Sequence, residues 1–213
     1  MRKTKKSLLT SALLLTGFGL WTAAVSFLDV QPIGPQGSAV GFAGINRMIH
    51  NLTGVHLNLY HATDWLGLVP IFVCMIFGVL GLTQWIKRKS IRKVDRDILT
   101  LGGFYGVTIV VYLLFEYVVI NYRPVLIEGI LEASYPSSTT VLVMCVMPTA
   151  MLQCNSRIKN RLLRICVLSF VAAFTVFMIL GRLISGVHWF TDIVGGMLLS
   201  AGLVGLYATA SKI

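Results

Sequence analysis

The sequence predicts an all-α fold: a six-transmembrane-helix bundle with an interfacial helix between spans 1 and 2. Three observations predict it. Of 213 residues, 56% are hydrophobic and only 12% are charged, with a mean hydropathy of +0.81, a balance foreign to soluble globules. Six uncharged stretches approach the ~20 apolar residues that a helix needs to cross a bilayer. The basic residues gather between alternate stretches, as a threaded membrane chain requires.

The first span is Ser7–Leu28, behind the basic run Arg2, Lys3, Lys5 and Lys6. A signal peptide has the same outline. Ala24-Val25-Ser26 is a weak cleavage signal after a long apolar stretch, so an uncleaved span is expected. The connector Asp29–Asp64 opens on the turn-rich Gln31–Gly37. Phe42, Ile45, Ile49 and Leu52 then recur at helical spacing with Asn46, Arg47, His50 and Asn51 between them. That pattern predicts an amphipathic helix on the membrane surface, read as a spacer or, more sharply, a gate for a lipid. His50, His56 and His61 have no regular spacing and no carboxylate at a fixed offset, so no metal is assigned.

Asp64 and Trp65 read as an interface anchor for the second span, Trp65–Ile86. The third span is Ile98–Phe115 and the fourth Ala133–Ser156. The fifth, Ile165–Gly181, is short and extends toward Leu183; the sixth is Ile193–Ser211. Cys74, Cys145, Cys154 and Cys166 lie in or beside these runs without metal spacing and read as packing residues.

With six spans, 15 of the 18 basic residues fall on one side, which makes both termini cytoplasmic. Only Arg47, Arg123 and Arg182 fall on the outer side, with six of the eight acidic residues. The net charge of +10 therefore reports topology and contact with membrane lipids, and nucleic acid is excluded as a partner.

Three outer segments then meet at one membrane face. Asn121-Tyr122-Arg123-Pro124 closes span 3, where Pro124 is expected to stop the helix with Arg123 at its mouth. Tyr135-Pro136-Ser137-Ser138-Thr139-Thr140 opens span 4, where free N–H groups and the hydroxyls of Ser137 and Ser138 suit an anion. Gly181–Asp192 joins spans 5 and 6 and holds Arg182, His188 and Asp192. Four residues apart, His188 and Asp192 would share a helix face, with Asp192 holding one ring nitrogen and freeing the other to attack. Two arginine forks, a helix N-terminus and a His–Asp pair point to phosphoryl transfer through a phosphohistidine, with no metal or cofactor required. Singly, each residue has a plainer explanation as a snorkelling anchor or a helix cap; their convergence favours a site.

This pattern resembles the type 2 phosphatidic acid phosphatase and vanadium haloperoxidase superfamily, in its membrane-embedded branch. The family signature runs Lys-x6-Arg-Pro, Pro-Ser-Gly-His and Ser-Arg-x5-His-x3-Asp. Here it reads Glu116-x6-Arg123-Pro124, Pro136-Ser137-Ser138-Thr139 and Gly181-Arg182-x5-His188-x3-Asp192. The resemblance implies a single integral membrane domain over 1–213, with a catalytic-type core from about 65 to 211 behind an N-terminal span and connector over 1–64. It implies His188 as nucleophile, Asp192 as its orienting carboxylate, Arg123 and Arg182 as phosphate ligands, and Ser137 as a phosphate-binding hydroxyl; Ser138 stands where the family has Gly, and Gly181 where it has Ser. A lipid phosphate would be the substrate.

Two departures weigh on that reading. Thr139 replaces the His that protonates the leaving group, a loss worth ~10²–10⁴ in rate. Glu116 replaces a phosphate-binding Lys, and is expected either to pair with Arg123 or, through burial, to supply the missing proton. Other candidate donors are Glu132, His56 and His61. The chain is then either a hydrolase preferring leaving groups stable as anions, as in a lipid diphosphate, or a degenerate member that binds lipid phosphates without hydrolysis. A transporter or a vanadate-dependent peroxidase fits less well, because the ionisable groups lie at the rim of a membrane-embedded chain.

Overall fold

The computed structural model describes residues 2–211, with side chains from Thr4 on, so the expected charge at Lys212 lies outside the described residues and those at Arg2 and Lys3 outside the described side chains. Among the described residues eight α-helices follow one another: α1 (Arg2–Phe27), α2 (Ala43–Thr53), α3 (Leu57–Leu66), α4 (Leu68–Arg88), α5 (Arg96–Tyr117), α6 (Ser138–Arg157), α7 (Arg161–Ile184) and α8 (Phe190–Ser211). Among the described residues the only β pairing is three isolated antiparallel bridges. Five segments among the described residues are long and apolar enough to cross a membrane: Thr4–Phe27, Leu57–Arg88, Arg96–Tyr117, Arg161–Ile184 and Phe190–Ser211. They make the chain an integral membrane protein.

The fourth expected span is the one that does not qualify. Its helix starts five residues later than Ala133, and α6 is less apolar than its neighbours. The reason is its position. α6 packs against α4, α5, α7 and α8, and nine of its twenty residues are buried, so protein covers it. A helix covered by protein needs no continuous apolar surface. Val141 and Cys145 face Leu101, Phe104, Leu199 and Leu203 on one side; Val143, Val146 and Met147 face Val171 and Met178 on the other. Of the cysteines, Cys145 is fully buried in this way, whereas Cys166 is exposed on α7.

α1 lies along α8. Small residues allow the close approach: a Cβ at Gly202 would meet Leu15 at 2.7 Å, and Ser7 and Thr209 share a hydrogen bond at 2.8 Å. That bond puts the start of α1 and the end of α8 at one end of the bundle. The α4–α5 and α6–α7 connections join them there, tied by Arg157–Asp97 at 2.5 Å and Arg88–Asp95 at 2.8 Å. The basic loops therefore share one end, and the three motif segments share the other.

Between α1 and α4 the connector differs from expectation in how it faces. α2 is the expected amphipathic helix, but it turns Ala43 and Asn46 inward and leaves Ile45, Met48 and Leu52 exposed. Asn46 is buried because it serves the start of α8: its Nδ2 donates to Gly41 O at 2.8 Å and to Thr191 Oγ1 at 3.0 Å, and its Oδ1 accepts from Thr191 N at 3.2 Å. Asp64 and Trp65, expected to open a span, instead end α3, which Gly67 joins to α4 in helical geometry.

Candidate active site

The site grows from the junction of α7 and α8. Arg182 sits in the last turn of α7 and is 1% exposed. The chain leaves the helix through Gly186 at φ +67°, where any side chain would strike the Gly54 carbonyl at 1.9 Å. His56 N–H donates to Ser185 O at 2.9 Å across the same seam. His188 follows in the loop, 3% exposed, and Asp192 lies in the first turn of α8, fully buried.

His188 and Asp192 do not share a helix face, because α8 begins after His188. Asp192 instead turns back and accepts the Trp189 N–H at 2.9 Å, the carboxylate half of a capping box. Its Oδ1 accepts from Asn121 Nδ2 at 3.4 Å. The N-terminal end of α8 favours this negative charge. His188 Nδ1 and Asp192 Oδ2 are 3.8 Å apart, and the Ser134 hydroxyl stands between them, 3.1 Å from Nδ1 and bonded to Oδ2.

On its other side the ring accepts from Arg182, whose Nη2 is 3.1 Å from Nε2. Arg182 Nη1 lies 3.5 Å from Thr63 Oγ1 and 3.6 Å from Asp64 Oδ1. Burial first, then the charges of Arg182 and Arg123, hold the His188 pKa well below its ordinary value. The ring is therefore neutral at physiological pH, with a lone pair on Nε2.

Arg123 reaches the site by a route the sequence reading did not foresee. α5 ends at Tyr117, six residues before Arg123, so Pro124 does not end the helix. The chain instead makes a small hairpin in which Tyr122 bridges Ala133 and Arg123 N–H donates to Glu132 O at 3.0 Å. The hairpin pairs Arg123 with Glu132, Nε to Oε2 at 2.9 Å. Glu116 makes no ion pair with Arg123, because the seven-residue spacing runs off the helix. Nor is Glu116 buried; it is exposed, so the burial on which its proton-donor role depended is absent.

Both guanidiniums lie against the Tyr60 ring, 4.9 Å from its centre for Arg182 and 5.7 Å for Arg123. The ring face offsets part of their mutual repulsion. Several of their donors remain unused: Arg123 Nη1 and Arg182 Nε are buried without a hydrogen-bond partner. Unpartnered buried donors are costly, and an anion would satisfy them.

Ser137 caps α6 and is fully buried, but its N–H is taken by Asp192 O at 3.1 Å and its Oγ accepts from Thr140 at 3.1 Å. The expected cradle of free N–H groups thus begins one residue later, at Ser138. Ser138 borders a cavity of about 440 Å³ together with Glu116, Tyr122, Arg123 and Glu132. Thr139 is half-buried and does not border it.

Of the other candidate donors, His56 Nε2 is 2.8 Å from Thr53 O and His61 packs beside Tyr60 with ring centres 5.1 Å apart. Glu132 lines the cavity and is held by Arg123. His50 stands 5.5 Å from Trp189, and burial lowers its pKa. Among the described residues no group of three metal-ligating side chains gathers.

Ser134, Asn121, Tyr60 and Thr63 were not singled out from the sequence. Tyr60 and Thr63 come from the connector, at an i,i+3 spacing that puts both on the inner face of α3. Ser134 and Asn121 pair across the hairpin, Ser134 N to Asn121 O at 2.9 Å, and no local pattern marks such a pairing in advance.

The model of the PAP2 superfamily matches residues 71–212 of this chain. A crystal structure described as "the first transmembrane PAP2 type phosphatidylglycerolphosphate phosphatase from Bacillus subtilis" is similar to it with a TM-score of 0.64, covering 92% of this chain and 93% of that one. Sequence identity is 18%, so that likeness is one of fold. Among curated proteins no match is found.

Proposed function

This chain belongs to the PAP2 superfamily, and on that premise we propose that it is a membrane lipid phosphatase hydrolysing a lipid phosphate or diphosphate through a phosphohistidine on His188. The observation that carries the reading is the pairing of a buried His188, bonded at Nε2 to Arg182, with two buried arginines that still have unpartnered donors. In the mechanism, the phosphate draws Arg182 off Nε2 and onto its own oxygens, and Arg123 takes a second oxygen. The freed lone pair attacks phosphorus, and charge building on the phosphoryl oxygens meets both guanidiniums. Water then hydrolyses the phosphohistidine. Ser138, bordering the cavity, and the first turn of α6 supply further donors to the phosphate.

Protonation of the leaving group is where this chain departs from its family. Thr139 cannot donate near neutral pH, and Glu116 and Glu132 are the carboxyls that border the cavity. A leaving group stable as an anion needs the least help, so a diphosphate such as a polyprenyl diphosphate is the preferred substrate. In the membrane, α6 crosses with the other five spans, both termini are cytoplasmic, and the site faces outward; the gathering of the basic loops at the opposite end supports this. Residues 1–213 act as one domain. α2 lies at the outer surface with Ile45, Met48 and Leu52 toward lipid.

The second reading, a degenerate member that binds lipid phosphates without hydrolysis, is favoured by Thr139 and by an exposed Glu116 in place of the family Lys. Phosphate release by purified protein in detergent separates the two, with wild type beside His188→Ala on a polyprenyl diphosphate and on phosphatidate. The phosphatase reading expects release that the variant loses, faster on the diphosphate. Equal or faster turnover of phosphatidate would sink the leaving-group argument. Binding without release by the wild type would establish the degenerate binder.

A further inference from the structure

The next step rests on the phosphatase reading and concerns a residue that the family signature does not contain. His188 Nδ1 and Asp192 Oδ2, at 3.8 Å, are beyond hydrogen-bond reach. Ser134 Oγ contacts both. Donor accounting fixes the direction of each bond. A guanidinium only donates, so Arg182 Nη2 donates to Nε2 at 3.1 Å, and Nε2 is the acceptor nitrogen. A neutral imidazole then carries its proton on Nδ1, which donates to Ser134 Oγ. The single hydroxyl proton of Ser134 is left for Asp192 Oδ2. Asp192 also receives the Trp189 N–H and the Asn121 amide, so it acts as an acceptor throughout.

The loop holds this hydroxyl firmly in place. Ser134 is 3% exposed, and its N–H is bonded to Asn121 O. The next residue, Tyr135, is 1% exposed and shares a hydrogen bond with Thr22 at 2.8 Å. No other partner competes for Ser134 Oγ among the described residues.

We propose that Ser134 is a positioning residue that carries the Asp192 carboxylate to His188 and locks the ring in the tautomer whose Nε2 lone pair faces the phosphate. As Nε2 bonds to phosphorus, the bond from phosphorus to the leaving oxygen breaks, and the ring becomes cationic while Nδ1–H stays in place. The Ser134 dipole, oriented by Asp192, stabilises that charge and no proton moves along the relay. When water attacks, its oxygen bonds to phosphorus and the P–N electron pair returns to Nε2. Both water protons leave with the phosphate, which departs as dihydrogen phosphate.

The test is nitrogen-15 NMR of histidine-labelled protein in detergent, joined to steady-state kinetics. With four histidines in the chain, a His188→Asn variant assigns the signal. The relay expects one His188 tautomer in the wild type near neutral pH, protonated on Nδ1. It expects Ser134→Ala to lose that single tautomer and about 10–10² in kcat, with KM within about twofold, while Ser134→Thr retains both. A wild-type ring protonated on Nε2 would overturn it. So would Ser134→Ala keeping tautomer and kcat, or both variants losing kcat with the tautomer unchanged, which is the mark of a merely structural residue. If the wild type hydrolyses no lipid phosphate, the phosphatase reading fails and the tautomer alone decides the relay. If Ser134→Ala does not fold, the wild type and Ser134→Thr decide it.

Discussion

Arg182 and Arg157 sit at opposite ends of one bundle and meet the same chemical partners under opposite conditions. Arg157 pairs with Asp97 at 2.5 Å and Asp95 at 3.5 Å, with its side chain 32% exposed. Arg182 is 1% exposed, its nearest carboxylate is 3.6 Å away on an exposed Asp64, and its clearest hydrogen bond goes to a neutral histidine. A buried guanidinium so thinly compensated is destabilising, and such a group persists where something else uses it. The end with the better ion pairs is thus the structural one, and the end with the worse pairs is the candidate site.

The comparison breaks most sharply at His188. Replacing it with Asn is expected to cost about 10⁴-fold or more in phosphate release while the helical content by circular dichroism is unchanged. A comparable loss from a substitution at the basic end would contradict the division. Next comes the arginine exchange. Arg182→Lys keeps the charge and loses the fork, and kcat/KM is expected to fall about 10²–10³-fold, whereas Arg157→Lys leaves it within about twofold.

pH sharpens the comparison further. The folded-state pKa of His188 is lowered, so the ring stays neutral as pH falls through the ordinary histidine range. The acid limb of kcat/KM is expected below pH ~6.5, the unperturbed value, and removing a like charge with Arg182→Gln is expected to move it upward. An acid limb at or above the ordinary value in the wild type would contradict the buried, arginine-flanked ring. The sign is the same for stability: a depressed pKa contributes stability above the unfolded value that is lost as pH falls.

The smallest effect is at the other end. Arg157→Ala is expected to lower stability by no more than about 1 kcal/mol, since both partners are partly exposed, and to leave turnover alone. Asp95 there has a lowered pKa, chiefly from the Arg88 and Gln84 hydrogen bonds. Its contribution is present at neutral pH and lost as pH falls through the lowered value. A thermal melt of the variant at neutral and acid pH, and at low and high salt, checks both statements.

The periodicity and charge of the chain by themselves determined the membrane helices, because a span must be apolar along its own length. The same local logic brought Arg182, His188 and Asp192 into view, since charged residues between apolar runs stand out in one dimension. Tertiary structure decided the rest. α6 falls below the hydropathy of a span because its neighbours cover it. Arg123 pairs with Glu132, not Glu116, because a hairpin separates it from α5. Ser134 stands between His188 and Asp192 because that hairpin and the start of α8 are packed together. A hydrogen bond between residues 54 or 58 positions apart leaves no periodic trace, so only the folded chain reveals it.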